Sequence, residues 1–369
     1  MKESLSKLTA SSGQVKSDVS VEDQAKIKHI QQVIRQEGDN IRAKYPILAN
    51  QNLMGMSIFL LSVFGIAASG WGYLEGHLSA WVSIPLAAFF MSLLHELEHD
   101  LIHWQYFKNQ KVIHHFMLAV GWILRPGTIN PWVRRQLHFL HHKVSGTDHD
   151  IEERGISNGM KLTPLRVFVM LDTLTGNILK ALLRSKKDAA KHKASKLKTI
   201  FGIIVVNFPL GFLCVAVWYS FLGFHLANGI AYLMGDTIAW SAATLENMVW
   251  IEQLVVVIVA PFYIRSFSIN FISSNMHYYG NVNSLLEQTQ VLNHPIFLPF
   301  NLFCFNFGSS HGIHHFVVKE PFYIRQLTVK AAHKVMKENG VRFNEFGTFK
   351  RANNYLQDKP ATEAALASS

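Results

Sequence analysis

Residues 78–94 read Leu78-Ser-Ala-Trp-Val-Ser-Ile-Pro-Leu-Ala-Ala-Phe-Phe-Met-Ser-Leu-Leu94, and they run directly into His95-Glu-Leu-Glu-His99-Asp-Leu-Ile-His103. The first part carries no charge and reads as a membrane span, since about 20 apolar residues rising ~1.5 Å each cross a hydrocarbon core of ~30 Å. The second part spaces three histidines by four, which puts them on one face of a helix. One helix is thus expected to leave the lipid and present imidazoles at its end.

The rest of the chain fits this reading. Leu53 to Ser69 is uncharged, Ile200 to Phe224 runs 25 residues without a charge, and the composition is 49% hydrophobic against 16% charged, which excludes a disordered chain. All 35 Lys and Arg fall in three segments, 8 in residues 1–44, 17 in 108–198 and 10 in 265–359. The stretches between them hold the apolar runs, so each reads as a hairpin that leaves the basic side and returns. By the positive-inside rule that side is cytoplasmic.

The expected fold class is therefore an all-α integral membrane protein with four transmembrane helices in two hairpins, at roughly 52–70, 78–95, 200–222 and 250–268, and a cytoplasmic helical cap. Both termini are expected on the cytoplasmic side. Pro85 and Pro261 interrupt the second and fourth spans, and Glu252 and Arg265 flank the fourth. Residues 1–50 form an N-terminal cytoplasmic segment, 51–320 the membrane domain and 321–369 a C-terminal cytoplasmic segment whose end, Pro360–Ser369, reads as a frayed, disordered tail. Residues 20–36 read as an amphipathic surface helix, and Leu162 to Leu183 as amphipathic stretches lying on the membrane or covering the span ends. No apolar run precedes Leu53, so the first span is expected to direct insertion.

The net charge of +10 is accounted for by anionic lipid headgroups rather than nucleic acid. Cys214 and Cys304 are too few for a disulfide framework or a thiolate metal site and read as packing residues.

Only His77 and His225 of the 19 histidines fall toward the far side of the hairpins. The others include, besides the stripe at 95–103, His138-Phe-Leu-His141-His142 and His311-Gly-Ile-His314-His315. Two copies of H-x-x-H-H make coincidence a poor explanation, and each spacing aims several imidazoles at one point. Catalytic zinc needs three protein ligands and structural zinc four, so one zinc leaves most of these histidines idle, whereas two metals use them. Imidazole suits iron, copper, nickel and zinc alike, but a site at the membrane face suits oxidation of an apolar substrate and hence a redox metal. Isolated histidines such as His29, His192, His294 and His333 read as ordinary hydrogen-bonded residues. His103 reads as a ligand, as a residue behind the ligands, or as a plain interfacial residue.

Boxes of the form HxxxH, HxxHH and HxxHH on one side of four spans resemble the membrane fatty acid desaturase and hydroxylase superfamily, over roughly residues 50–320. The resemblance implies a non-haem di-iron centre held by the boxes, with O2 as co-substrate, that oxidises unactivated C–H bonds of lipid or alkane chains. Asn275-Met276-His277-Tyr278-Tyr279-Gly280 is similar to the lone-histidine motif of membrane alkane hydroxylases, as is His95-Glu96-Leu97 to their first box. By that resemblance His277 is a further ligand. Tyr278 separates His277 from the Tyr-Gly pair, and HFLHH is closer to desaturases, so the chain sits between the subfamilies. The candidate metal-ligating residues are thus His95, His99, His103, His138, His141, His142, His277, His311, His314 and His315, with no catalytic residue assigned beyond them. Glu96, Glu98, Asp100, Asp148, Asp150 and Glu152 are candidates to accept hydrogen bonds from ligating imidazoles, or else solvated interfacial charge.

The expected reaction is fatty acid desaturation, with oxidative decarboxylation of a free fatty acid to a terminal alkene, or hydroxylation by a monooxygenase route, as alternatives. If the substrate is a free acid, Arg125, Arg134, Arg135 or Arg265 could clamp its carboxylate; otherwise each reads as a lipid-headgroup contact. The chain carries no haem motif, ferredoxin cysteine pattern or nucleotide loop, so electrons must come from a separate ferredoxin-like, rubredoxin-like or cytochrome donor. A histidine-rich metal transporter is disfavoured by the absence of an internal repeat, and a zinc hydrolase by the number of histidines.

Overall fold

The computed structural model describes residues 19–183 and 195–356, so that His192 and the Pro360–Ser369 tail lie outside the described residues. The architecture is all-helical, with no sheet among the described residues and only isolated bridges such as His277 to Thr289. Helix α1 (Val21–Lys44) is capped by the Ser20 hydroxyl, which accepts from Asp23 N at 3.0 Å. It is longer than the amphipathic segment expected at 20–36.

Among the described residues, four helices are long and apolar enough to cross a membrane: α2 (Gln51–Leu74), α3 (Ala80–Ile102), α10 (Leu210–Leu233) and α11 (Ala242–Met276). Between α3 and α10 lie α4 (Lys111–Ile123), α5 (Pro131–Val144), α6 (Ile151–Gly155), α7 (Pro164–Leu171), α8 (Thr173–Leu183) and α9 (Lys196–Asn207). After α11 come α12 (Phe307–Phe316) and α13 (Phe322–Glu338).

The third span is displaced from its expected place at 200–222. Proline has no N–H to continue a helix, and the residue before it avoids helical backbone. Accordingly the apolar run breaks at Phe208-Pro209, its first part becomes the separate helix α9, and the span itself continues past His225 to Leu233. The fourth span is longer than expected, begins at Ala242 and contains a π-helical turn over Val255–Val259, just ahead of Pro261. Pro85 sits inside α3 without ending it.

Spans α2, α3 and α11 pack as the membrane core through Phe59, Ile66, Met91, Leu94, Leu97, Val255 and Phe262. Their closeness depends on glycine: a Cβ at Gly65 would lie 2.4 Å from the Phe90 ring, and one at Gly55 2.4 Å from that of Tyr106. Span α10 packs on this core along one side, through Cys214, Val217 and Trp218, the last stacked on Tyr263 of α11 with ring centroids 4.8 Å apart, and of its residues only Gly211 and Cys214 are fully buried. A second core joins α1, α12 and α13 through Ile30, Ile34, Ile313, Phe316, Ala332 and Met336. Asp100, near the end of α3, ties the two regions together. It accepts from Phe322 N at 2.7 Å, Arg325 Nη2 at 2.9 Å and Tyr106 OH at 3.0 Å.

Candidate metal centre

The histidines converge where α3 ends. Arg135 donates to the last carbonyls of α3, to Ile102 O at 3.1 Å and Leu101 O at 3.0 Å, and so fixes the turn that carries His99 and His103. Asn130 accepts from Trp132 N and Val133 N, with Pro131 in the first position, which starts α5 and sets the angle of His138, His141 and His142. His277 follows α11 directly in extended backbone. Gly308 lets α12 approach so closely that a Cβ there would lie 2.5 Å from the Leu292 carbonyl oxygen.

Among the described residues two groups of four imidazoles result. His99, His103, His138 and His314 form the first, and His141, His277, His311 and His315 the second; within each, one nitrogen per ring lies within 4.8 Å of all the others. Helices α5 and α12 contribute to both. His142 is in neither group of four but lies against the first, its Nε2 3.1 Å from His138 Nε2 and 3.0 Å from His314 Nε2.

Whether these residues fit a metal can be judged from their tautomers. His315 Nδ1 faces Gln288 Oε1 at 3.1 Å, and His277 Nδ1 faces the Ser273 carbonyl at 2.9 Å. Both partners only accept, so each Nδ1 carries the proton and each Nε2 is left with its lone pair. Yet these two Nε2 atoms face each other at 3.3 Å, and His315 Nε2 also faces His311 Nε2 at 3.2 Å. Lone pairs so placed repel unless a cation lies between them. In the first group, both ring nitrogens of His99, Nε2 of His103 and Nδ1 of His314 are buried without a hydrogen bond. The donor set fits a metal in each group.

Carboxylates orient the rings from behind, as ligating imidazoles require. His138 Nδ1 lies 2.8 Å from Glu152 Oε2, and His141 Nδ1 2.8 Å from Asp150 Oδ2. Asp150 also caps α6, accepting from Glu153 N at 3.2 Å through its other oxygen. Glu153 and Gln288 complete this layer: Glu153 Oε2 is 3.3 Å from His277 Nδ1 and its Oε1 accepts from the Ser273 hydroxyl. Neither was expected from sequence, although Glu153 continues the acidic run Asp148–Glu152. Of the other acidic candidates, Asp100 serves as the tie described above, Asp148 accepts from the Tyr279 hydroxyl, Glu98 pairs with arginines, and Glu96 lies 4.0 Å from Arg325 Nη2.

Burial holds His138, His142, His311, His314 and His315 well below the usual histidine range and brings His103 down to about 2, which keeps them as neutral ligands. His141 goes the other way. Burial lowers it, but Asp150, with Glu152 and Glu153, outweighs burial and raises it to about 9.

The structure does not bring His95 into either group. It lies one turn deeper along α3 than His99, and Arg125, Arg134 and Arg265 surround its ring, with nitrogens 3.0, 3.4 and 2.7 Å from its Nδ1. Arg125 is fully buried and Arg265 is 2% exposed, so these two are not lipid-headgroup contacts. Arg135 is occupied by α3 and by the Trp104 ring, 4.1 Å away. His294 and His333 have the ordinary roles expected: His294 accepts from Ile296 N, and His333 Nε2 lies 2.8 Å from the Ser309 carbonyl.

An all-helical protein with four long apolar helices and two adjoining groups of four imidazoles has the build of a membrane protein with a histidine-ligated di-metal site. A family model described as fatty acid desaturase matches residues 75–347, and the chain belongs to that family, one of di-iron oxidoreductases. The match runs past residue 320 and takes in α13. No curated protein matches the chain.

Proposed function

We propose that this chain is an integral membrane enzyme that introduces a double bond into a fatty acyl chain, using two irons held by the histidine groups. Per double bond, two hydrogens leave adjacent carbons, and O2 with two electrons and two protons from outside becomes two waters. When bound, the iron pair supplies the power to activate O2 and oxidise an unactivated C–H bond. The observation that carries the reading is the facing of acceptor nitrogens in the second group, His277 Nε2 on His315 Nε2 at 3.3 Å, which calls for a cation.

The chain's own part is placement. Asp150, Glu152, Glu153, Gln288 and the Ser273 carbonyl hold the Nδ1 atoms of His141, His138, His277 and His315 outward, so that the Nε2 lone pairs point inward. Burial excludes water from the ligands and protects the reacting carbon from competing chemistry. With no electron carrier motif of its own, the chain takes electrons from a separate carrier, a ferredoxin-like, rubredoxin-like or cytochrome protein, approaching the basic side, which the positive-inside rule makes cytoplasmic. The histidines gather at one end of the span α3 and not at its middle, which supports an enzyme at the membrane face over a transporter.

The test is mass spectrometry of acyl chains and volatile hydrocarbons from cells expressing the protein or its His314→Ala variant, together with the iron content of both. A new unsaturated chain made only by the intact protein supports the reading. Full turnover by His314→Ala, or one zinc in place of two irons, would overturn it.

A further inference from the structure

Arg125, Arg134 and Arg265 come from the loop after α4, from α5 and from α11, and they meet at one imidazole. All three place a guanidinium nitrogen within 3.4 Å of His95 Nδ1, and Arg134 also lies 3.4 Å from His95 Nε2. A neutral imidazole accepts one hydrogen bond in its ring plane, so at most one of the three contacts to Nδ1 is a full hydrogen bond and His95 leaves the other donors of the cluster under-used.

The charge count agrees. Glu98 is shared between Arg125 and Arg134. Arg134 reaches Glu152 at 3.5 Å, but that carboxylate also serves His138. Arg265 forms no ion pair among the described residues, and its Nε makes no hydrogen bond although the side chain is 2% exposed. Glu96 acts on Arg265 electrostatically but lies beyond ion-pair distance, and a buried guanidinium so weakly paired holds an anion brought to it well. Three planar forks around one point suit an oxyanion with two or more oxygens.

The cluster sits beside the metal centre. His95 is four residues before His99, a rise of about 6 Å along the helix, and Arg134 connects through Glu152 to His138. C–C bonds of about 1.5 Å bring a chain anchored here level with His99 by about its fifth carbon.

We propose that Arg125, Arg134 and Arg265 form a carboxylate-binding subsite, so that the substrate is a free fatty acid and oxidation falls within about the first five carbons from its carboxyl group. This rests on the reading of the histidine groups as the oxidising centre. Loss of two hydrogens from the second and third carbons converts R-CH2-CH2-COOH to R-CH=CH-COOH; loss instead of one hydrogen from the third carbon together with the carboxyl group, as CO2 and its proton, gives R-CH=CH2. In either case O2, two electrons from the external donor and two protons become two waters. The subsite thus shifts the expected product from a mid-chain alkene to an acid unsaturated within about its first five carbons or to a terminal alkene.

The test measures binding of radiolabelled palmitic acid to the detergent-solubilised protein, iron-loaded and metal-free, against unlabelled methyl palmitate, palmitoyl thioester and hexadecyl phosphate as competitors. Palmitic acid is expected to bind one per chain, and methyl palmitate about ten- to a hundredfold more weakly, as loss of a charge-assisted hydrogen bond dictates. Arg265→Gln should lower acid affinity by a similar factor, leave ester affinity alone and keep both irons; Arg265→Lys, which keeps the charge without the fork, should fall between. Equal affinity for acid and ester, wild-type affinity in Arg265→Gln, tighter binding of the thioester or the phosphate, or a product modified at mid-chain would each overturn the proposal. Acid binding that persists in protein unable to hold iron would support the subsite and count against the proposed function, so the two failures are distinguishable.

Discussion

Replacing Asp150 with Asn keeps the shape of the metal centre and removes one charge from behind it. The two oxygens of Asp150 do different work, Oδ2 at 2.8 Å from His141 Nδ1 and Oδ1 accepting from Glu153 N at 3.2 Å. Asn caps a helix about as well as Asp, so α6 should hold. The contact with His141 changes from a charged acceptor to an amide oxygen, which halves its strength or more. Loss of such a partner behind a ligand lowers metal affinity about 10–100-fold, or about 1.4–2.7 kcal/mol. The assay is iron retained by the purified protein against graded chelator, read by elemental mass spectrometry. The iron of the second group should leave first, at about 10–100-fold lower chelator, while that of the first group stays. Both irons departing together, or neither shifting, would refute the assignment of His141 to a separate second group. Asp150→Ala should add a loss of about 1 kcal/mol of stability from the missing cap.

Three further outcomes follow from the geometry. His99→Ala should lose the metal of the first group while His95→Ala keeps both, and equal loss in the two variants, measured as iron per chain, would place His95 among the ligands. Gly308→Ala forces a Cβ to 2.5 Å from the Leu292 carbonyl oxygen and 2.8 Å from Asn301 Oδ1, where backbone cannot readily give; overpacking of about 1–3 kcal/mol should lower the thermal midpoint and iron content together, and an unchanged midpoint would refute it. Lys180, whose Nζ donates to the Arg154 carbonyl at 2.8 Å, has its pKa lowered to about 8 by burial and by Arg154. Between pH 8 and 10.5 the unfolded chain holds this proton and the folded chain does not, so the stability contribution is present above 10.5 and lost as pH falls through about 8. The thermal midpoint of Lys180→Met relative to wild type should therefore be highest near neutral pH and fall back by pH 10.5; a constant difference would refute this.

The spans were legible because uncharged runs of this length have few other uses, and the basic segments mark their ends. What misled was Pro209: hydropathy averages across it, but backbone geometry does not, and the third span begins after it. The two H-x-x-H-H boxes were legible from spacing alone. The stripe His95–His99–His103 was not resolved, because all three share a helix face, and only the packing of α5 and α12 against the last turn decides which two meet their partners. His277 was visible only through a resemblance, and Gln288 not at all, since each stands alone in sequence and acquires meaning from segments folded beside it. Sequence left Arg125 and Arg265 between a carboxylate clamp and headgroup contacts, because charge at a span end is usually the latter; their burial, which decides it, depends on how α4 and α11 close over α3.

The π-helical turn at Val255–Val259 acts as an angular adjustment in the last span. Each residue of a helix turns it by about 100°, and a π turn absorbs an extra residue without breaking the rod. The outer part of α11 carries mixed exposure, while nearly every residue from Pro261 to Met276 is buried, so the two parts answer to different surroundings. The turn lets lipid dictate the phase of one and the metal centre that of the other. Deleting a single valine there would remove this adjustment and with it the separate setting of Arg265 and of the approach to His277, so this apolar stretch should tolerate changes of residue far better than changes of length.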